Sequence, residues 1–215
     1  MEFIYRNITL KLLPEKAIWL PRESTLLLAD IHLGKSAHFR KNGLPVSQQI
    51  EYQNYKILEK LIFENSPTSI YFLGDLFHST ANEDWEIFNV WRKFYRDIQM
   101  VLVKGNHDIL PHYFYQNVNL EVVNEGITLN NIQLWHHPPQ IDSEMTLLHL
   151  YGHIHPSFLL KGKGRQKLKL PCFYLTNNSL AMPAFGHFTG TKNIEPKKSD
   201  RIFVCLPNLV SEIKF

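Results

Sequence analysis

Three short runs, Leu26-Leu27-Leu28-Ala29, Ile70-Tyr71-Phe72-Leu73 and Met100-Val101-Leu102-Val103, are apolar at every position rather than at alternate ones. A strand with one wet face alternates, so unbroken runs of this length predict strands buried on both faces, as in a parallel sheet. The intervening segments supply the crossovers. Ile50, Ile57, Leu58, Leu61 and Ile62 hold one face of a 3.6-residue period and predict a helix from about Ser47 to Glu64. Trp85, Phe88, Trp91, Phe94 and Tyr95 do the same from about Glu83 to Asp97. The order is β-α-β-α-β, an arrangement that places binding sites beyond the C-terminal tips of its strands. After Leu120 the pattern changes. Leu120–Val123, Ile132–Trp135, Thr146–Tyr151, Pro171–Thr176 and Arg201–Leu206 are strand candidates with little helix between them. They predict a second, mostly antiparallel sheet, packed face to face with the first and with helices outside.

No linker, repeat or low-complexity stretch interrupts the chain, and 215 residues at 44% hydrophobic suffice for one well-packed domain over 1–215. A net charge of +3 is too mild to identify a partner. The N-terminus Met1-Glu2-Phe3-Ile4-Tyr5-Arg6 has no basic segment followed by an apolar core, and no apolar run approaches the roughly 18 residues of a membrane span. A cytoplasmic protein with no membrane attachment is expected. Cys172 and Cys205 form no CxxC pair, so neither a disulfide framework nor a thiolate zinc site is implied, and both are expected to be buried.

Five blocks carry the chemistry: Asp30-Ile31-His32, Gly74-Asp75-Leu76-Phe77-His78, Gly105-Asn106-His107-Asp108, His136-His137-Pro138-Pro139 and Gly152-His153-Ile154-His155. The first two directly follow buried runs, and the third begins one residue after its own. Two divalent ions held about 3.5–4 Å apart need carboxylate and imidazole ligands, one carboxylate common to both, and open positions for a water and a substrate oxygen. Asp30 and His32, two apart at a strand end, can turn toward one ion. Asp75 follows a glycine that permits a tight exit from the strand, which suits a bridging carboxylate. Asn106 offers a neutral oxygen that limits the negative charge at the second ion. His153 and His155 can serve different ions from one turn.

The ordered series DxH, GDxxx, GNHD, H and GHxH resembles the calcineurin-like metallophosphoesterase superfamily between Asp30 and His155. The resemblance implies a four-layer α/β/β/α sandwich of two packed mixed sheets flanked by helices. It also implies two divalent ions, manganese foremost, with iron or zinc as alternatives. Carried over by motif, Asp30, His32, Asp75 and His155 would hold one ion, and Asp75, Asn106, His136 and His153 the other. In the H-x-P-P pattern the first histidine is the ligand, which selects His136 and leaves His137 behind it or on the substrate. His107 is then the expected general acid for the leaving oxygen. His78 stands where much of the superfamily has an aspartate, as in its double-strand-break repair nucleases, and would tune His107.

Flanking blocks narrow the resemblance. Leu33-Gly34-Lys35 with Phe39-Arg40, Gly43-Leu44-Pro45-Val46, Leu170-Pro171-Cys172-Phe173-Tyr174 and the run Met182 to Gly190 resemble the bacterial ligase-associated DNA damage response endonucleases. That family implies a phosphodiesterase or endonuclease acting on DNA in repair, and the ligand set points to in-line attack of a metal-bridging hydroxide. Its associated proteins are a DNA ligase, a DEXH-box helicase and an exonuclease. The alternatives are a phosphoesterase for a small substrate such as a cyclic nucleotide, and a metal-bound scaffold for repair partners. Lys35, Arg40, His137 and His187 are candidate substrate contacts. Lys161, Lys163, Arg165, Lys167 and Lys169 alternate along a predicted hairpin, either as a backbone-binding stripe or as a solvated edge. Phe185 and Phe188 are expected in the core more readily than stacked on a base.

Overall fold

In the computed structural model, residues 1–36, 39, 43, 49–78, 83–140, 147–187 and 189–214 are described. Arg40, Leu44 to Val46 and Phe188 therefore lie outside the described residues. A first sheet has the order β1 (Glu2–Tyr5), β2 (Ile8–Leu12), β3 (Ile18–Leu20), β4 (Thr25–Leu28), β5 (Ser69–Leu73), β6 (Gln99–Val103) and β7 (Glu121–Val123). β1 to β4 form an antiparallel meander, and β4 to β7 run parallel. The crossovers are α1 (Gln49–Asn65) and α2 (Glu83–Phe94), and a short α3 (His112–Asn117) precedes β7.

The unbroken apolar runs have the predicted cause. Leu26, Leu28, Ile70, Phe72, Met100 and Leu102 point to one face, against Tyr55, Leu58, Leu61 and Ile62 of α1 and Trp85, Phe88 and Trp91 of α2. Their neighbours Leu27, Ala29, Tyr71, Leu73, Val101 and Val103 point to the other and meet the second sheet. The α2 period continues to Tyr95, but the helix stops at Phe94. The buried Arg92 guanidinium donates to the Tyr95, Ile98 and Asn119 carbonyls, satisfying the chain as it turns into β6.

The second sheet has the order β14 (Lys192–Asn193), β11 (Pro156–Lys161), β12 (Lys167–Thr176), β13 (Ser179–Ala181), β10 (Leu148–Tyr151), β9 (Ile132–Trp135) and β8 (Ile127–Leu129), with β15 (Arg201–Cys205) on β12 and β16 (Val210–Ile213) on β15. Most pairings are antiparallel, but β9, β10 and β13 run parallel to one another, as do β11 and β14. Its inner face contributes Ile132, Leu134, Leu148, Leu150, Phe173, Leu175, Leu180 and Phe203 to the shared core. One expectation is corrected. The strand predicted at Leu120–Val123 is β7 at the edge of the first sheet, where Val101 to Val103 of β6 pair with Glu121 to Val123. Its sequence is too short to carry a period that would distinguish the two sheets. No helix among the described residues is long and apolar enough to cross a membrane.

Candidate metal centre

Beyond the tips of β4, β5 and β6 the chain leaves the sheet in loops that lock onto one another. His32 and Leu33 donate to the Asp75 and Leu76 carbonyls at 2.9 and 2.8 Å, and His78 donates back to Leu33 at 2.9 Å. Asp108, fully buried, joins the second loop to the third. Its carboxylate accepts from the backbone N–H of Asp75 at 2.7 Å, Phe77 at 3.2 Å and Gly105 at 2.9 Å. Burial pushes its carboxyl up to about 7, against the pull of those three donors, with the Asp75 charge adding to the rise.

The glycines of the blocks are contacts between loops. A methyl group on Gly74, which itself has φ of 76°, would collide with the His136 ring. One on Gly105 would strike the Asp75 carboxylate, and one on Gly152 would meet Asp30, Ala29 and the Leu73 carbonyl. Each glycine thus makes room for a side chain from another block. Asp30, His32, Asp75, His153 and His155 all have left-handed backbones, with φ between 47° and 67°. Each such conformation costs about 1–2 kcal/mol outside glycine, and the interlocking hydrogen bonds hold it.

The side chains converge in groups. Asp30, His32 and His155 have one donor atom each mutually within 4.8 Å, as do Asp30, Asp75 and His136, and also His136, His137 and His153. Asp30 is fully buried, accepts from the His153 N–H at 2.9 Å and lies 3.2 Å from His155 Nε2. Burial lowers the His155 pKa, but Asp30 and the Gly190 carbonyl outweigh it and leave it raised. Asp75 stands between the groups. Its Oδ2 is 3.8 Å from His32 Nε2 and its Oδ1 is 3.6 Å from His136 Nε2.

His136 Nδ1 is 3.0 Å from the Leu73 carbonyl, which fixes the tautomer with the proton there. Its Nε2 is then an electron-pair donor, 3.2 Å from both Asn106 Oδ1 and His153 Nδ1. His137 is exposed, with its ring centroid 4.4 Å from that of His153. Burial, aided by Lys35 and three neighbouring imidazoles, pushes His32 down to about 2, so it is neutral as a metal ligand must be. Both its ring nitrogens are buried with no hydrogen-bond partner among the described residues. A buried unsatisfied nitrogen costs about 1–3 kcal/mol, and a divalent cation beside Asp30 and Asp75 would remove that cost. The oxygen and imidazole donors fit one or two divalent ions.

His107 sits at the rim. Its backbone N–H donates to Asp75 Oδ1 at 2.9 Å, its ring meets His32 edge-on at 5.3 Å, and it stacks on His78 at 5.0 Å with 22° between planes. Lys35 is half-buried, and burial lowers its pKa against the opposing charge of Asp75. The His187 backbone N–H and Nδ1 both lie 3.2 Å from the buried Asn54 Oδ1. Phe185 is buried, as are both cysteines. Sequence reasoning gave Asp108 no role and did not find Lys16. The Lys16 Nζ crosses from the β2–β3 turn to donate to the Phe185 carbonyl at 2.6 Å and Gly186 at 3.4 Å. Phe185 and Gly186 in turn donate to the Ala29 and Asp30 carbonyls, so Lys16 braces the floor under the first loop. Nothing in the local sequence marks that contact.

The family model for calcineurin-like phosphoesterases matches residues 24–187, the span from the start of β4 past every ligand group. The chain belongs to that family. Its two mixed sheets with flanking helices are the family's α/β/β/α sandwich, and this calcineurin-like phosphoesterase is a hydrolytic, metal-binding enzyme acting on a phosphate ester. Among solved structures, the nuclease MPE of Pseudomonas putida is 33% identical over 95% of this chain and 96% of that one, with a TM-score of 0.79. The phosphoesterase Yfce of E. coli is 11% identical over 88% of this chain and 97% of that one, with a TM-score of 0.47, too distant to bear on the site. No curated protein sequence matches the chain.

Proposed function

We propose that this phosphoesterase cleaves phosphodiester bonds in DNA and serves in repair. The observation that carries the reading is Asp75, which turns one oxygen toward His32 and the other toward His136, between three overlapping groups of ligand atoms. Asp30, His32, Asp75 and His155 would hold one divalent ion, and Asp75, Asn106, His136 and His153 the other, manganese being the leading candidate. Bound there, such ions neutralise charge on phosphoryl oxygens and acidify water, the chemistry of an in-line displacement.

The chain's own residues do the rest. Asp30 and Asp108, bonded to loop N–H groups, hold the strained loops in register. His107 Nε2 or Nδ1 delivers a proton to the leaving oxygen, the step that a deoxyribose leaving group needs most. Its N–H bond to Asp75 fixes its distance from the reacting phosphate, and the stacked His78 ring fixes its orientation. Lys35 faces the phosphate as a cation. His78 in place of an acid, and the 33% identical Pseudomonas putida nuclease, support DNA as the substrate.

The test compares single-stranded DNA, duplex DNA, a cyclic nucleotide and a phosphomonoester with manganese-loaded enzyme, and uses Asp75→Asn as the control. Metal-dependent cleavage of DNA that Asp75→Asn abolishes is the expected result. Turnover of the cyclic nucleotide or monoester alone would overturn the nuclease reading, and full activity in Asp75→Asn would overturn the two-ion reading.

A further inference from the structure

Residues 145–194, fifty consecutive positions, contain no aspartate or glutamate. They do contain Lys161, Lys163, Arg165, Lys167, Lys169 and Lys192, and the first five fall on the β11–β12 hairpin and its tip. Pairing makes this costly. Lys161 is directly opposite Lys167, and like charges in opposed positions destabilise a strand pair. No ion pair among the described residues involves any of the five. Edge protection needs a lysine or two, not one sign throughout.

The charges are also segregated. Phe158, Leu160, Leu168 and Leu170 share one face by register, continuous with the cluster of Cys172, Ile202 and Val204 on the outer side of the sheet. Lys167 and Lys169 alternate with them and so share the face of Phe173 and Leu175, which line the core between the sheets. Lys161 is on that face too, by its pairing with Lys167. The hairpin therefore carries the inner face of the second sheet past the sandwich, where it becomes exposed and basic.

The base of the hairpin adjoins the metal centre. Pro156 of β11 directly follows His155, whose Nδ1 is 3.0 Å from the Gly190 carbonyl. One residue on, the Thr191 carbonyl accepts from Lys169 Nζ at 2.9 Å, and the Lys192 carbonyl accepts from Ser157 Oγ at 3.0 Å. From His155 to Lys161 the strand reaches about 20 Å, at roughly 3.3 Å per residue.

We propose that this hairpin is a phosphate-backbone track that holds the DNA strand leading away from the metal centre. It rests on the reading of the centre as a DNA phosphodiesterase. Lys161, Lys163, Arg165 and Lys167 contact successive phosphates, while Lys169, tied to Thr191, keeps the track aligned with His155. No aromatic residue occurs between Lys161 and Lys169, so the contact is to backbone and not to bases, and is indifferent to sequence.

The test replaces Lys161, Lys163, Arg165 and Lys167 together by glutamine. Binding of a fluorescent 30-mer oligothymidylate is measured in EDTA across a salt series, beside manganese-dependent turnover of bis(p-nitrophenyl) phosphate. The track predicts binding about tenfold or more weaker at low salt, and a slope of log affinity against log salt smaller by about 3, at roughly 0.7 per lost contact. Turnover of the small diester stays at the wild-type level. An unchanged salt slope overturns the track. Equal loss of small-diester turnover also overturns it, by making the hairpin a structural support of the centre. Hairpin-dependent binding by an enzyme that cleaves no DNA would leave the track standing and remove the nuclease reading; cleavage of DNA with an unchanged slope would do the reverse.

Discussion

Asp30 and His32 on one side of the centre are sealed inside the fold with His155 partly covered, whereas Asn106, His137 and His153 on the other side are exposed around a buried His136. Burial pulls histidine pKa values down on both sides, though Asp30 and the Gly190 carbonyl leave that of His155 raised. His32 falls to about 2, and His137 and His153 are also lowered. What differs is access. The sealed side is braced by loop-to-loop hydrogen bonds and by the Lys16 strut, so it suits an ion that stays with the protein. The open side presents Asn106, His137 and His153 at the solvent edge.

The comparison breaks most completely at the residue both sides share. Asp75→Asn is expected to abolish turnover and to lower metal content on both sides, measured by elemental analysis of purified protein; retention of two ions would separate the sides altogether. Next, His107→Ala is expected to slow cleavage of a DNA diester by about 10²–10⁴-fold with metal content unchanged. The loss should be much smaller for a p-nitrophenyl leaving group, and an equal loss on both substrates would remove the acid role. Chelation sharpens the contrast of access. Manganese release into EDTA is expected in two phases, with His153→Ala eliminating the fast one and His32→Ala the slow one; a single phase in wild type would make the sides equivalent.

The smallest effect tests the strut. Burial pushes Lys16 down to about 8 from the 10.5 of an unfolded lysine, with the Cys205 charge opposing. The folded state therefore gives up this proton first. The cost of burying the ammonium is complete below about pH 8 and gone above about 10.5, so raising pH through that window adds stability. Wild type should show this increment in Tm relative to Lys16→Met, whose own profile lacks it.

Much of the site is legible in the order of residues along the chain. Asp30, His32, Asp75, Asn106, His136, His153 and His155 are brought together because each follows a strand whose burial pattern is visible as an apolar run or a short alternation. The neighbouring glycines are legible as tight exits, but not as openings for the His136, Asp75 and Asp30 side chains of other blocks. The β1–β3 meander, β8 and β14 are not legible, because two- to five-residue strands carry too few positions for a period. Glu121–Val123 is assigned to the wrong sheet for the same reason. His187 has a motif but no partner in its own neighbourhood, and its partner is Asn54 on α1, 133 residues away in sequence.

By itself the sequence determined which residues could bind divalent ions, which strands had to be buried on both faces, and that the blocks belong to the tips of those strands. These follow from side-chain chemistry and from local periodicity, both of which are properties of neighbours in the chain. Tertiary structure decided which oxygen of Asp75 faces which group, that His136 rather than His137 points its Nε2 at Asn106, that Lys16 reaches under the first loop, and that the basic face of the hairpin continues the inner face of the second sheet. Those depend on sheet register, left-handed backbone at five ligand positions and contacts across more than a hundred residues, which no local pattern encodes.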